Sequence, residues 1–329
     1  MKENKNYTIL EILQSFDRKY DGPIFDSHTH IRQKEDVTEM VKYAEKYNVR
    51  KMVGIMWEDK IKEIKGAFPD TFVFARFINL QQIFEKGNTK TILKEVEEDY
   101  EKGFAIAKVW FAPRWKDYVK NKWDFQFDVQ NFSLNEPILE PVFSLLEDLG
   151  SILLLHVSDP DILYKTNYQP ESYYGSKSEH LLILEKLLEN YPKLRIIGAH
   201  MGGQPEHLDN LGKWLDKYPN LYVDTASAKW MIRSFSPEIE KARKFFIKYS
   251  ERILFGTDII AGRKDREPIP EYYIDRYLSY QALFETSIRG QPLPIPDPDN
   301  DNNTKIDGLS LPKEVLEKIY WKNPIELFQ

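Results

Sequence analysis

Cysteine is absent from this 329-residue chain. That one absence removes disulfide scaffolds, thiolate zinc sites and a cysteine nucleophile, so any metal here is held by nitrogen and oxygen ligands. Long apolar runs are missing as well. The longest, such as Ile152-Leu153-Leu154-Leu155, fall far short of the about 20 residues that span a bilayer. Residues 1–21 alternate charged and apolar side chains and lack a signal-peptide core. Both features read as a soluble cytoplasmic protein without a membrane partner. Nor is positive charge in excess: 46 Lys and Arg against 52 Asp and Glu leave a net −6, which argues against a nucleic-acid or anionic-membrane binder. What remains, 42% hydrophobic and 14% aromatic residues, is enough for a large core.

Short β-like runs alternate with helix-like stretches along most of the chain. Eight strands are expected, over residues 24–26, 51–56, 72–77, 105–110, 152–156, 195–199, 221–224 and 253–256. They are rich in Val, Ile, Leu and Phe on both faces, as strands of a buried parallel sheet should be. Amphipathic segments lie between them, at 37–47, 91–100, 136–149, 179–190 and 237–249, several ending at Gly or Tyr-Pro. Eight βα units predict an α/β fold closed as a (β/α)8 TIM barrel, one domain over residues 1–329. An open doubly wound sheet is the competitor, but no Gly-x-Gly-x-x-Gly follows the first strand.

Three long loops follow strands 4, 5 and 8, at 111–135, 157–178 and 259–272. They lie on the face where barrel enzymes carry their active sites. Residues 290–308 hold Pro292, Pro294, Pro296 and Pro298 beside an Asp/Asn run. Counted from Asp297, an EF-hand would need Gly at its sixth position and Glu at its twelfth, where Asn302 and Gly308 stand. The segment therefore reads as an exposed connector. A last helix over 312–329 is expected to pack against the barrel exterior.

The first strand closes on Asp26-Ser27-His28-Thr29-His30. A strand turns alternate side chains to one face, so His28 and His30 are expected side by side with Asp26 below them in line. Two imidazoles so placed can grip one divalent cation. Other strands also end on polar residues: Lys108 in the fourth, His156 in the fifth, His200 in the sixth and Asp258 in the eighth. Four of the six histidines would then gather around one mouth. A lone strand-end histidine is as often a hydrogen-bonded structural residue, so the set carries the reading.

Three or four His/Asp ligands with an open position suit a catalytic Zn²⁺, or another borderline transition ion, rather than Ca²⁺ or Mg²⁺. Such an ion lowers the pKa of a bound water to about 7 and polarises a carbonyl. Asp258 is the expected base for that water, and His200 is placed to hydrogen-bond the water or a developing oxyanion. Trp57, Arg76, Trp110, Arg114, Trp115, Tyr173, Trp230, Arg233 and Arg263 lie near strand ends and are expected to shape the pocket. Singly, each is more often a surface or packing residue. Guanidinium groups at a pocket mouth favour an anionic small-molecule substrate through paired hydrogen bonds. Arg114, Trp110 and Arg76 are the candidate substrate contacts. His180 and His207 fall in helix-like stretches and take no chemical role.

In their order along the chain, His-x-His, the fifth-strand His, the sixth-strand His and the eighth-strand Asp resemble the amidohydrolase superfamily. Gly-Ala-His200-Met-Gly-Gly and Phe-Gly-Thr-Asp258 are similar to its branch of TIM-barrel metal-dependent hydrolases that includes relatives of aminocarboxymuconate-semialdehyde decarboxylase. Lys322-Asn323-Pro324 adds to the resemblance, which runs from about Ile24 to Phe328. It implies a single divalent metal on His28, His30, His156 and Asp258, with His200 close to the reacting centre. In binuclear members a fourth-strand lysine is carboxylated and bridges two metals. The residues around Lys108 look similar, which would give a second metal on Lys108 and His200; a plain lysine pairing with a substrate anion or Asp258 is the alternative. One metal is favoured over two. The function implied is a metal-dependent hydrolase of a small organic acid, ester, lactone or amide, with metal-bound water as nucleophile. A non-oxidative decarboxylase of a small carboxylic acid is the alternative, and a catalytically inactive ligand-binding barrel is the third reading. Barrels of this branch commonly pair, so the resemblance also implies a homodimer.

Overall fold

The computed structural model describes residues 19–122, 131–263 and 269–328. Most of the N-terminal stretch, parts of the long loops after strands 4 and 8 (123–130 and 264–268) and Gln329 lie outside the described residues.

Nine parallel strands form one sheet: β1 (Ile24–His30), β2 (Val49–Met56), β3 (Phe72–Phe77), β4 (Phe104–Trp110), β5 (Ile152–His156), β6 (Arg195–Gly198), β7 (Leu221–Asp224), β8 (Ile253–Leu254) and β9 (Ile259–Ile260). The expected eighth strand arrives in two pieces, β8 against β7 and β9 against β1. Between the pieces, Ser27 N donates to Phe255 O at 2.7 Å and Asp258 N to His28 O at 2.8 Å. These bonds carry the sheet from its last strand round to its first, which gives the TIM barrel. Side-chain alternation sorts the core. Phe25, Ile55, Ala75, Ile106, Leu154 and Ile197 fill the barrel interior, while their neighbours pack outward against the helices. No helix among the described residues is long and apolar enough to cross a membrane.

Strand β1 breaks the simple alternation. Asp26 pairs with Met52 and Thr29 with Gly54, so three steps on β1 match two on β2. A bulge of this kind re-aims side chains. It brings His28 and His30 to the mouth and leaves Asp26 on the outer face, not in line below them. There Asp26 accepts from Thr257 N (3.0 Å), Thr257 Oγ1 (2.6 Å) and Tyr277 OH (3.3 Å). Burial pushes its carboxyl up to about 7, although those hydrogen bonds act the other way. Asp26 thus pins the break in the eighth strand.

Two further expectations change. The terminal segment does not lie on the barrel exterior. Through Lys313–Glu317, a π turn at Lys318–Lys322 and Asn323–Phe328, it packs into the end of the barrel opposite the histidines. Phe328 and Trp321 pack their rings against Phe25, at 5.4 and 6.4 Å, and Leu327 joins the interior cluster. Asn323 Nδ2 fastens this segment by donating to Ser250 O at 2.6 Å and Ile253 O at 2.8 Å. Residues 290–308 are not an exposed connector either. They form a small hairpin, β10 (Gln291–Pro292) with β11 (Lys305–Ile306), whose tip is anchored by the buried Asp297. Arg233 Nη1 lies 2.6 Å from Asp297 Oδ1, Thr304 Oγ1 donates to its Oδ2 at 2.6 Å, and Lys229 pairs with Asp299 at 3.1 Å. A buried carboxylate needs such partners, and they hold the hairpin against the helix Ala228–Phe235.

Candidate metal centre

The C-terminal ends of the strands bring three side chains to one point. His28 Nε2 and His30 Nε2 lie 3.6 and 3.2 Å from Asp258 Oδ1. Their ligand atoms all fall within 4.8 Å of one another. Asp258 occupies the left-handed region, φ 61°, where a non-glycine residue is strained. The bond from its amide to the His28 carbonyl holds it there. Just before it, a side chain at Gly256 would come within 2.9 Å of His28 Cβ, so the chain passes behind the imidazole only because that residue is glycine.

The residues behind the imidazoles set their tautomers. His28 Nδ1 is 2.7 Å from Asp224 Oδ2 at the end of β7. Burial opposes ionisation of Asp224, but His28 and His200 outweigh it and hold the carboxyl down at about 2. An ionised carboxylate can only accept, so His28 Nδ1–H donates and Nε2 is the nitrogen turned to Asp258. The other Asp224 oxygen accepts from the His200 amide at 2.8 Å. His200 sits at φ 56°, and its Nδ1 donates to the Ala226 carbonyl at 3.1 Å, which again leaves Nε2 unprotonated. Burial pushes His200 down to about 3 and His30 down to about 4, so both are neutral imidazoles, the form that ligates. Asp258 shows the reverse. Burial opposes its charge, but His30 and His28 outweigh it and keep the carboxylate ionised far below its ordinary range.

His156 and His200 stand beside this triple without joining it. Their rings lie 4.3 Å apart, and His200 is 5.3 Å from His28. His156 Nε2 lies 2.8 Å from Asp159 Oδ1, so Nδ1 is the ring nitrogen left free of that bond. Asp159 also accepts from Tyr168 OH, at 2.5 Å. Lys108 is 2% exposed, and its Nζ has no hydrogen-bond partner among the described residues. Burial pushes its amine down to about 8, while Asp224 and Asp258 pull the other way. Clustered imidazoles beside an ionised carboxylate fit a divalent transition ion.

Beside Asp258 opens a cavity of about 490 Å³, whose walls include Arg114, Tyr168, Trp230, Arg276 and Ile295. Of the three candidate substrate contacts, Arg114 alone lines it. Trp110 turns its indole to the Tyr118 ring, 6.0 Å away. Arg76 points outward to Asp99, 3.8 Å from its Nε, and over the Phe104 ring. Alternation explains this: Ala75 and Phe77 face the barrel interior, so Arg76 between them faces the helices.

Sequence reasoning also missed residues that the geometry brings in. Asp224 orients His28 and His200, and Asp159 orients His156. Ile295 and Asp299 of the hairpin contribute to the cavity wall. A signal for Asp224 was present, since it ends β7 two residues after the inward-packing Tyr222.

A family model described as Amidohydrolase matches residues 73–329. Among solved structures, a putative amidohydrolase from Staphylococcus aureus is 15% identical over 93% of this chain and 99% of its own, with a TM-score of 0.57. A probable 2-pyrone-4,6-dicarboxylic acid hydrolase from Acinetobacter baumannii, with citric acid bound, is 12% identical over 93% and 98%, TM-score 0.53. The 5-carboxyvanillate decarboxylase from Novosphingobium aromaticivorans, complexed with manganese and a nitrobenzoic acid, is 12% identical over 95% and 98%, TM-score 0.53. No curated protein matches the sequence. At these identities the solved structures establish a common fold.

Proposed function

This chain belongs to the amidohydrolase family, and from that premise we propose that it is a metal-dependent hydrolase of a small organic acid, ester, lactone or amide carrying a carboxylate. The observation that carries this reading is the meeting of His28, His30 and Asp258 at the edge of the cavity. These three, with His156 through Nδ1, would hold one divalent ion, Zn²⁺ by ligand type. A bound ion would lower the pKa of a water and polarise the substrate carbonyl.

The chain's own groups supply the rest. Asp258 Oδ1 is turned to the imidazoles, which leaves Oδ2 to take a proton from the attacking water. His200, neutral and aimed by Ala226, offers Nε2 to a hydrogen-bond donor at the reacting centre. Arg114 on the cavity wall binds the substrate carboxylate. Lys108 Nζ faces the charges of Asp224 and Asp258, and carboxylation there would admit a second ion.

Decarboxylation is the second reading, supported by the fold shared with the manganese-complexed decarboxylase. Metal analysis and solvent ¹⁸O decide between them. About one ion per chain with ¹⁸O in the product supports hydrolysis by a mononuclear site; two ions point to a carboxylated Lys108. Release of carbon dioxide without ¹⁸O incorporation supports decarboxylation, and no ion after repletion removes the enzyme reading.

A further inference from the structure

Three of the four histidines at the mouth are aimed by a hydrogen bond from the nitrogen turned away from the centre. Asp224 holds His28, Asp159 holds His156 and the Ala226 carbonyl holds His200. Such anchors are the usual way a ligating imidazole is oriented. His30 lacks one: its only polar ring contact among the described residues is Nε2 to Asp258. Aromatic rings stand beside it. Phe77, at the end of β3, stacks on His30 with centroids 5.9 Å apart and planes 22° apart. Trp57, just past β2, stacks on Phe77 at 3.9 Å and 5°. The three rings cross the ends of neighbouring strands β1, β2 and β3.

Trp57 is 49% exposed, more than any other large hydrophobic side chain among the described residues, and it does not line the cavity. Its one close ring partner among the described residues is Phe77. A flat ring pressed between two others has its plane set by their faces, whereas an aliphatic neighbour would let it rotate.

We propose that Phe77 and Trp57 are positioning residues for the metal ligand His30, holding by ring stacking the plane that a carboxylate or carbonyl holds for the other histidines. The proposal rests on the metal site described above. Phe77 presents the face that His30 lies on, and Trp57 clamps Phe77 from the solvent side.

The test is Zn²⁺ affinity of the full chain, measured by competition with a chromophoric chelator. It is paired with the visible absorption of the Co²⁺-loaded protein, which reports ligand geometry. Trp57→Ala is expected to weaken Zn²⁺ about tenfold and to alter the Co²⁺ spectrum. Trp57→Phe, which keeps a flat ring, should stay within about twofold of wild type with the same spectrum. Phe77→Leu keeps apolar volume without a flat face, and should match the loss seen with Trp57→Ala; it also serves if the alanine variant does not fold. Affinity and spectrum unchanged in Trp57→Ala and Phe77→Leu would overturn the proposal while leaving the metal site standing. A wild-type chain that takes up neither ion overturns the site itself, and the positioning role with it.

Discussion

Asp224 bonds His28 through one carboxylate oxygen and the His200 backbone through the other, at 2.7 and 2.8 Å. One residue at the end of β7 therefore sets which nitrogen of His28 carries hydrogen toward it and fixes the backbone of the sixth-strand histidine. Asp224→Ala removes both contacts and leaves buried donors unpaired. It is expected to weaken divalent metal binding by about 10- to 100-fold. Chelator competition on the folded variant measures this, and an unchanged affinity would remove Asp224 from the site.

Asp258→Asn keeps the shape of the side chain and removes its charge. Turnover is expected to fall by at least about 100-fold, the usual contribution of a positioned base. The circular dichroism spectrum should stay that of wild type. Steady-state kinetics at matched metal content is the measurement, and near-normal kcat would reject the role.

Arg114→Ala should act on substrate capture. Losing a charge-assisted hydrogen bond to a carboxylate is expected to lower kcat/KM by about 10- to 100-fold, with most of the change in KM. Arg114→Lys should recover only part, because an ammonium lacks the two-pronged geometry. A panel of small carboxylates and their uncharged amides separates the cases: the uncharged compounds should respond little.

His180, outside the His28–His30–Asp258 cluster, gives a pH prediction. Its ring is buried, which pushes its pKa below 6.5, and Nδ1 donates to the Ser176 carbonyl at 2.7 Å. The folded pKa is lower than the unfolded one, so the unfolded chain takes up more protons on acidification. The stabilisation is complete above about pH 6.5 and is lost as the pH falls below it, by at most about 1.4 kcal/mol per pH unit for this group. His180→Gln should show a smaller drop in urea midpoint between pH 8 and pH 5 than wild type. Equal drops would count against the assignment.

Asn323→Ala should loosen the far end of the barrel. The side chain supplies two hydrogen bonds to the buried carbonyls of Ser250 and Ile253, and leaving these unpaired costs about 1–3 kcal/mol. Chemical denaturation should report that loss with metal affinity intact.

Much of this architecture is legible in the sequence. Phe72–Phe77 and Ile152–His156 are strands as expected, because runs apolar on both faces have few places to go other than a covered parallel sheet. His28 and His30 were visible for their spacing. The reason they face inward was not, since it is a bulge that no residue type in Asp26–Thr29 announces. Nor does any local rule place His200 and Asp258 at positive φ; bonds to Asp224 and His28, far along the chain, impose it. Arg76 was misplaced for a simpler reason, because alternation from Ala75 already sends it outward. The hairpin at 290–308 looked solvent-exposed from its prolines and acids. Asp297 is buried because Arg233, from a distant helix, answers its charge.

The stoppered floor has one more consequence. With Phe328 and Leu327 filling the bottom of the cylinder, no tunnel runs through it among the described residues, and whatever enters by the mouth must leave by the same doorway. Arrival and departure would then compete for a single threshold, and under the proposed hydrolysis a freed carboxylate would be a rival to the next molecule in line.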